Sequence, residues 1–229
     1  RMGNFYELIN AGAEIIDIGA ESTKPNFEEV CINDEFTKLD SFLSIIKKEI
    51  PNLKYRPLIS IDTRKYLVMQ KILAKHNDII WMINDVECNE IHHKAKLIKK
   101  YNKSYVITHN TGLSDRKNYL NIDTAIDDVC DYFTTKKDIL LNEGISLSNL
   151  YFDVGFGFGK KANVAKLLLE NINTIAQRTC LKSLIGHSRK PSVLSLDKTA
   201  TKDELDKATK ELSIKLEKQG IDIIRIHKI

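Results

Sequence analysis

Three polar side chains that can bind a small molecule each accompany a short apolar run of this sequence. Asp62 ends the run PLISID, Asn84 lies near the end of DIIWMIND, and Asp153 lies near the end of NLYFDVG. Two carboxylates and an amide supply acceptors and donors that match a flat heterocycle rich in N–H groups. Each residue alone is equally well explained as a cap or turn residue. Because all three hold matching positions, we expect them to converge on one ligand.

A second set of residues has the chemistry to bind anions. The segment IGHSRKPS places a hydroxyl, a guanidinium and an ammonium in succession at residues 188–190, although SRK alone is more typical of a basic surface turn. A helix beginning near Ser192 would add backbone N–H donors, which suits a carboxylate or a polar ring atom. Arg225 and His227 are two residues apart in the last apolar run, so a strand would point both to one side. We interpret this pair as anion-binding, because charges packed under helices would need partners.

The glycine-rich segment GFGFGKK, residues 155–161, is a weaker signal. It has the glycines of a phosphate-binding loop but lacks the spacing and the terminal Ser or Thr of a Walker A motif. Alternating Gly and Phe also serve simply to turn a chain tightly. The segment therefore predicts no nucleotide.

Apolar runs alternate with helical patterns along the whole chain. Seven runs lack the apolar–polar alternation of half-exposed strands, which is typical of parallel strands buried on both faces: AEIIDIG, PLISID, DIIWMIND, SYVITHN, NLYFDVG, LKSLIGHS and IDIIRIH. The helices between them are predicted over residues 4–11, 34–50, 64–76, 90–102, 122–143, 163–178 and 202–219. Gly12, Gly144 and Gly220 stand where three of these helices should end.

This alternation predicts an α/β fold of the (β/α)8 TIM-barrel type, whose active sites form at the carboxyl ends of the strands. The chain opens in a helical pattern and closes on a strand pattern, so we expect the first strand and last helix of the barrel to be absent from it. One barrel domain, incomplete at both ends, is predicted over residues 1–229. Two longer loops, 22–33 and 111–121, are the predicted lids.

Composition and charge narrow the possible partners and the cellular location of the protein. The 229 residues carry a net charge of +4 with both signs interspersed, which argues against a nucleic-acid surface. No apolar stretch approaches about 18 residues and no leader pattern opens the chain, so we expect a cytoplasmic protein without a membrane partner. The four cysteines lack metal-ligand spacing, so they are predicted to be free thiols rather than a zinc site or disulfides: Cys31, Cys88, Cys130 and Cys180.

Taken together, the motifs resemble dihydropteroate synthase, a TIM-barrel family of the folate pathway. The resemblance covers essentially the whole chain, from GAEIIDIGAESTKP through SIDTRK, IND, DVGFGFGK and IGHSRK to IRIH. It implies that para-aminobenzoate condenses with hydroxymethyl-dihydropterin diphosphate to give dihydropteroate and pyrophosphate. It also implies a Mg²⁺ cofactor, a homodimer and a target of sulfonamides.

The resemblance assigns a role to individual residues. The pterin ring would be bound by Asp62, Asn84, Asp153, Lys160 and Lys190. The diphosphate would be bound by Thr23, Arg225 and His227. Para-aminobenzoate would contact Lys24, Phe158, Ser188 and Lys190. The catalytic residues would be those that stabilise the charges developing in the reaction: Asp62, Lys190, Arg225 and His227.

The sequence also departs from the family pattern. Lys24 replaces the usual Arg, which keeps the charge but loses the planar fork, and GAEST, DVG and SRKP replace GGEST, DPG and SRKS. No metal ligand is expected in this chain, because the family's Mg²⁺-binding Asn lies on the first strand. Two other functions stay open: a non-catalytic, synthase-like scaffold partner, or a pterin-binding methyltransferase, which would need neither SRK nor the Arg225–His227 pair.

Overall fold

The computed structural model of the chain describes residues 2–21, 28–111, 119–197 and 199–227. The strands among these residues are β1 (Ile15–Gly19), β2 (Leu58–Asp62), β3 (Ile80–Asp85), β4 (Ser104–Thr108), β5 (Leu150–Asp153), β6 (Lys182–Ile185) and β7 (Ile223–Ile224). The α-helices are α1 (Met2–Asn10), α2 (Ile32–Glu49), α3 (Tyr66–His76), α4 (Ile91–Tyr101), α5 (Ala125–Asn142), α6 (Ala162–Glu170), α7 (Ile172–Thr179), α8 (Pro191–Leu194) and α9 (Lys202–Lys218). Short 3-10 helices cover Ile50–Asn52 and Leu147–Asn149.

Two compact units make up the chain. The first comprises Arg1–Val106 and Ile139–Ile145. In it, β1 and β2 run parallel, as do β2 and β3, and Asp62 pairs with Gly19 on one side and Asn84 on the other. The strands bury apolar side chains such as Ile59 and Ile61, which are fully shielded from solvent. Parallel strands need cover on both faces, and that need explains the near-continuous apolar runs in the sequence.

The helices of the first unit carry the local signals that stabilise them. The Cys31 sulfur accepts a hydrogen bond from the Asp34 N–H at the start of α2. Acidic residues occupy the first turn of α2 and basic residues its last turn, which complements the helix dipole. On α1, Phe5 is buried and packs edge-on against Phe42 of α2, with ring centroids 6.4 Å apart. The ring contact therefore packs α1 against α2.

The second unit comprises Ile107–Asp138 and Ser146–Ile229. Here β5, β6 and β7 run parallel, with Tyr151 paired to Lys182 and Leu184 paired to Ile223. Helix α9 begins with a capping box, in which Thr201 and Glu204 exchange side-chain and backbone hydrogen bonds. The strands of this unit therefore pair in parallel, as the strands of the first unit do, and polar residues lie at the strand ends of both units.

All seven predicted strands are present, and so are the predicted helices with small shifts of their ends. One predicted helix, residues 163–178, is instead two helices that meet at Asn171, whose side chain donates to the Leu167 carbonyl at 2.8 Å. The three predicted helix-ending glycines have positive φ angles between 79° and 90°, a conformation that other residues adopt only at a cost. The four cysteines are free thiols, as predicted.

No helix in the described part of the chain is both long enough and apolar enough to span a membrane. The prediction of one barrel domain over residues 1–229 stays a prediction.

Candidate active site

The first unit brings Asp62 and Asn84 together, as the sequence predicted. They are neighbours in the ladder between β2 and β3, so their side chains leave the same face at the strand ends. Asn84 is 1% exposed, whereas Asp62 is half-buried. The backbone continues the contact, because the Thr63 N–H donates to the Asn84 carbonyl at 3.1 Å. A carboxylate and an amide therefore stand side by side at one edge of the unit.

Asp17 on β1 completes this group and was missed in the sequence. One of its carboxylate oxygens accepts a hydrogen bond from the Asn84 amide nitrogen at 3.0 Å. The other accepts from the Ser60 hydroxyl at 2.6 Å. Asp17 thus sets which way the Asn84 amide faces, with its nitrogen toward β1 and its oxygen on the other side. The signal available in the sequence was a carboxylate inside an otherwise apolar run.

An ion-pair network joins the start of α3 to the chain on both sides of residues 22–27. Arg64 donates to Glu21 at 2.8 Å and to Glu29 at 2.7 Å, while the Lys65 ammonium donates to Glu21 and to the Val30 carbonyl. Lys65 also pairs with the buried Glu35 at 2.8 Å. These contacts lower the pKa of Glu21, against the effect of its burial, and raise that of Arg64. The segment directly after Asp62 therefore binds Glu21, just before the first predicted lid, and Glu29 and Val30 within it.

Two predicted ligand-binding residues, Thr23 and Lys24, lie outside the described residues. So do residues 22–27 of the first predicted lid and 112–118 of the second.

In the second unit, Asp153 and Arg225 meet above a glycine. A Cβ built on Gly186 would lie 3.2 Å from the Arg225 guanidinium and 3.4 Å from the Asp153 carboxylate. A larger residue at this position would push these groups back by a few tenths of an ångström. Asp153 is 4% exposed, and its other carboxylate oxygen accepts the Gly155 N–H at 2.7 Å. The carboxylate thus caps the turn that opens the glycine loop, and its ligand role stays a prediction.

Lys190 belongs to the same group of charges. Its ammonium donates to the Gly186 carbonyl, and its pKa is lowered to about 8. Removal from solvent is the main cause; Asp153 opposes the shift and Arg225 adds to it. A carboxylate, a guanidinium and an ammonium are therefore gathered around one glycine, where they can hold a ligand with both polar and anionic parts.

Ser188 and His227 form a second contact of the unit. The Ser188 oxygen accepts the His227 backbone N–H at 3.2 Å and lies 3.0 Å from the imidazole Nδ1. Ser188 is buried, whereas His227 is exposed. The structure also differs from the strand prediction, because β7 ends at Ile224 and leaves Arg225 and His227 just beyond it. The Arg225 N–H still donates to the Ile185 carbonyl at 2.9 Å, which extends the ladder to that residue.

Arg189, the other cation of the SRK segment, pairs with a residue on α9 rather than with the charged groups around Gly186. Arg189 has a positive φ of 54°, and its guanidinium makes two hydrogen bonds to the Asp206 carboxylate on α9, at 2.5 and 2.9 Å. The helix expected near Ser192 is only the four-residue α8, and it begins at Pro191, which has no N–H to donate. Ser188 and Lys190 therefore remain the candidates for the predicted anion binding by this segment.

The glycine loop between β5 and α6 carries Phe158 and Lys160, both 9% exposed. The Lys160 ammonium lies 3.0 Å from Nδ1 of His109, a residue just past β4 that the sequence reading did not single out. Because His109 follows an apolar run as Asp153 does, its position was a signal that could have been used. Next to Phe158, Gly157 lies against Lys190, whose Cε would be 3.6 Å from a Cβ built there.

Among the described residues, no group of three or more His, Cys, Asp or Glu side chains is arranged to hold a metal ion. Within each unit, the candidate ligand-binding groups are hydrogen-bonding and charged side chains.

A family model described as pterin binding enzyme matches residues 3–227 of the chain. The chain therefore belongs to the pterin-binding enzyme family. It is 32% identical over 225 residues to dihydropteroate synthase of Streptococcus pyogenes, a match that spans 97% of this chain and 79% of that protein.

Solved structures share the fold of this chain. The structure of Anaplasma phagocytophilum dihydropteroate synthase with bound 6-hydroxymethylpterin-monophosphate has a TM-score of 0.86 and 24% identity, covering 99% of this chain and 87% of that one. Plasmodium falciparum HPPK-DHPS with pteroate has a TM-score of 0.85 and 29% identity, covering 99% of this chain and 41% of that one. The predicted α/β fold of the TIM-barrel class and the resemblance to dihydropteroate synthase are both confirmed.

Proposed function

We propose that this chain catalyses the dihydropteroate synthase reaction, in which the amine of para-aminobenzoate displaces diphosphate from hydroxymethyl-dihydropterin diphosphate. The family match over residues 3–227 and the 32% identity to a named synthase carry the proposal. The structure supports it with the group of Asp153, Lys190 and Arg225 around Gly186. A methyltransferase would not need the guanidinium of this group, since its reaction expels no diphosphate.

In the proposed reaction, the bond between the pterin methylene carbon and the diphosphate oxygen breaks. A carbon–nitrogen bond to para-aminobenzoate forms, and the amine loses a proton. Positive charge develops on the methylene and negative charge on the departing diphosphate. We assign stabilisation of the cation to Asp62 and Asp153 and binding of the anion to Arg225 and His227. Fixed charges aimed at developing charges lower the barrier without reorganising during the step.

The pterin ring is proposed to bind Asp62, Asn84, Asp153 and Lys190. Asp17 supports this assignment, because it turns the Asn84 amide to one defined orientation. A lysine with a pKa of about 8 is still mostly protonated at neutral pH, so Lys190 can donate to a ring acceptor and to a carboxylate.

Para-aminobenzoate is proposed to place its carboxylate near Ser188 and Lys190 and its ring against Phe158. The contact of Gly157 with Lys190 supports this, since it brings the loop that bears Phe158 next to the ammonium. The roles of Thr23 in binding diphosphate and of Lys24 in binding para-aminobenzoate stay predictions, because both residues lie outside the described part of the chain.

Mg²⁺ also stays an expectation from the family resemblance. The described residues do not form a metal site of their own, so no step of the proposed reaction is assigned to a metal ion. The cytoplasmic location and the homodimer likewise stay proposals, which fractionation of cells and light scattering of the purified protein would test.

A coupled assay for pyrophosphate release tests the proposed function. The purified protein receives pterin diphosphate and para-aminobenzoate, with and without Mg²⁺, and each substrate is left out in turn as a control. Release that requires both substrates and yields dihydropteroate supports the synthase. Tight pterin binding without release would instead identify the non-catalytic scaffold partner. Sulfonamides should compete with para-aminobenzoate and leave pterin binding unchanged.

A further inference from the structure

His109 and Lys160 form a buried contact whose geometry differs from the role that the family resemblance implies for Lys160. The Lys160 ammonium lies 3.0 Å from His109 Nδ1, 3.1 Å from the His109 carbonyl and 2.9 Å from the Phe158 carbonyl. An ammonium has three N–H donors, and these three acceptors use all of them. In this arrangement Lys160 has no donor left for a pterin ring.

His109 also shapes the start of the glycine loop. Its backbone N–H donates to the Asp153 carbonyl at 2.8 Å. Its own carbonyl lies so close to Gly155 that a Cβ at that position would clash, and Gly155 has a positive φ of 64°. The Phe158 N–H then closes the turn on the Gly155 carbonyl at 2.9 Å. The loop from Asp153 to Lys160 therefore packs against His109 at both of its ends.

The histidine itself is held by aromatic neighbours on α5. Its ring meets Tyr132 edge-on, with centroids 4.8 Å apart, and lies 6.3 Å from the Phe133 ring. The Tyr132 hydroxyl donates to the Thr108 carbonyl at 3.1 Å, which fixes the tyrosine against β4. His109 is only 6% exposed, so these neighbours restrict the orientation of its ring. With Nδ1 accepting from the ammonium, the ring proton sits on Nε2.

We infer that His109 is the positioning residue of the glycine loop: with Lys160 it holds the loop in the conformation that places Phe158 for the second substrate. Lys160 stabilises the conformation of this loop through its hydrogen bonds and is not a pterin ligand. The identity of the second substrate, para-aminobenzoate, rests on the proposed function. The contact between Lys160 and His109 does not depend on the proposed function, because it is made within the protein.

Two substitutions at His109 separate the hydrogen bond from the packing. His109→Leu removes the acceptor, whereas His109→Asn can place its amide oxygen close to where Nδ1 stands and loses the same aromatic contacts. Lys160→Met removes the ammonium and keeps the chain length. If His109→Leu does not fold, Lys160→Met still breaks the same contact, and a thermal unfolding scan identifies the folded variants.

Hydrogen exchange of the ligand-free protein gives the readout that is independent of activity. Peptides covering residues 155–160 should exchange about tenfold faster in His109→Leu and Lys160→Met, because their loop opens locally at lower cost. His109→Asn should stay near the wild-type rate. Wild-type exchange in both Leu and Met variants would overturn the inference, whether or not the protein is a synthase.

Steady-state kinetics then test the consequence for the substrates. The KM for para-aminobenzoate should rise about tenfold in His109→Leu and Lys160→Met, with kcat within about threefold and pterin affinity unchanged, since the loss concerns binding of one substrate. His109→Asn should rescue this KM. If Lys160→Met instead loses pterin affinity while His109→Leu keeps it, Lys160 contacts the pterin directly and the inference is wrong.

Discussion

The Asn84 amide nitrogen donates to the Asp17 carboxylate over 3.0 Å, and the same carboxylate accepts from Ser60 at 2.6 Å. Asp17 is thus an acceptor for two donors on two neighbouring strands. An amide at its place would have to present a donor to one of them. The orientation of Asn84 therefore depends on a residue that is not itself among the predicted pterin ligands.

Asp17→Asn should lower pterin affinity by about tenfold, because a mispaired buried donor costs on the order of 1–3 kcal/mol. Ser60→Ala is the matched control, since it removes the other partner of Asp17 and leaves the contact to Asn84 in place. Calorimetric titration with hydroxymethyl-pterin measures both. Equal losses in the two variants would show that Asp17 acts on the strand rather than on Asn84.

Asp153→Asn should keep the fold and lose pterin affinity. The amide oxygen can still accept the Gly155 N–H, so the turn that opens the glycine loop is retained. The amide nitrogen, however, replaces an acceptor that is proposed to face ring N–H groups. We expect a loss of about 2 kcal/mol or more in binding free energy, the cost of a mispaired buried group. Pterin binding at wild-type affinity in calorimetry would remove Asp153 from the site.

Arg225→Ala and His227→Ala should weaken binding of the pterin diphosphate far more than binding of hydroxymethyl-pterin without diphosphate. Their charges are proposed to address only the leaving group, and a charge-assisted hydrogen bond contributes about 1.5–3 kcal/mol. The expected difference between the two ligands is therefore about tenfold to a hundredfold. Equal losses for both ligands would assign these residues a structural role. Arg189→Ala, which breaks the pair with Asp206, serves as a control for loss of a nearby cation.

The positions of the predicted site residues along the strands could be read from the sequence, because buried parallel strands leave apolar runs whose ends are marked by polar residues. Asp62, Asn84 and Asp153 were found this way, and the ladder places the first two side by side. Their supporting contacts were not predictable in the same way. Asn84 and Asp17 are 67 residues apart in the chain, and their contact depends on the register of two strand pairs.

The roles of cations were harder to predict than their positions. Arg189 lies between Ser188 and Lys190, yet its left-handed backbone turns its side chain to Asp206. Lys160 was predicted to bind the pterin, and the structure pairs it with His109, 51 residues away. In both cases the sequence shows that a charged residue follows a strand. The direction of its long side chain depends on a partner from another part of the chain.

Burial of Lys160 predicts a pH dependence of stability. Its pKa falls from an ordinary value of 10.5 to about 7, chiefly because it is withdrawn from solvent, while the Asp153 charge opposes the shift. Between about pH 7 and 10.5 the unfolded chain therefore binds more protons at this residue than the folded protein does. The free energy of unfolding should rise with pH across that window, by at most about 1.4 kcal/mol per pH unit for one proton.

Lys160→Met removes this group, so the slope of the free energy of unfolding between pH 7 and 9 should become flatter than that of the wild type. The neighbouring Lys161 is exposed, and Lys161→Met should leave the wild-type slope unchanged. Lys190 is present in all three proteins. The pKa of His109 is lowered to about 3, chiefly by burial and further by the Lys160 charge, so its imidazole stays neutral between pH 7 and 9. Urea denaturation at pH 7, 8 and 9 measures the slopes. The same slope in Lys160→Met and in the wild type would show that Lys160 keeps an ordinary pKa and is not buried as the structure places it.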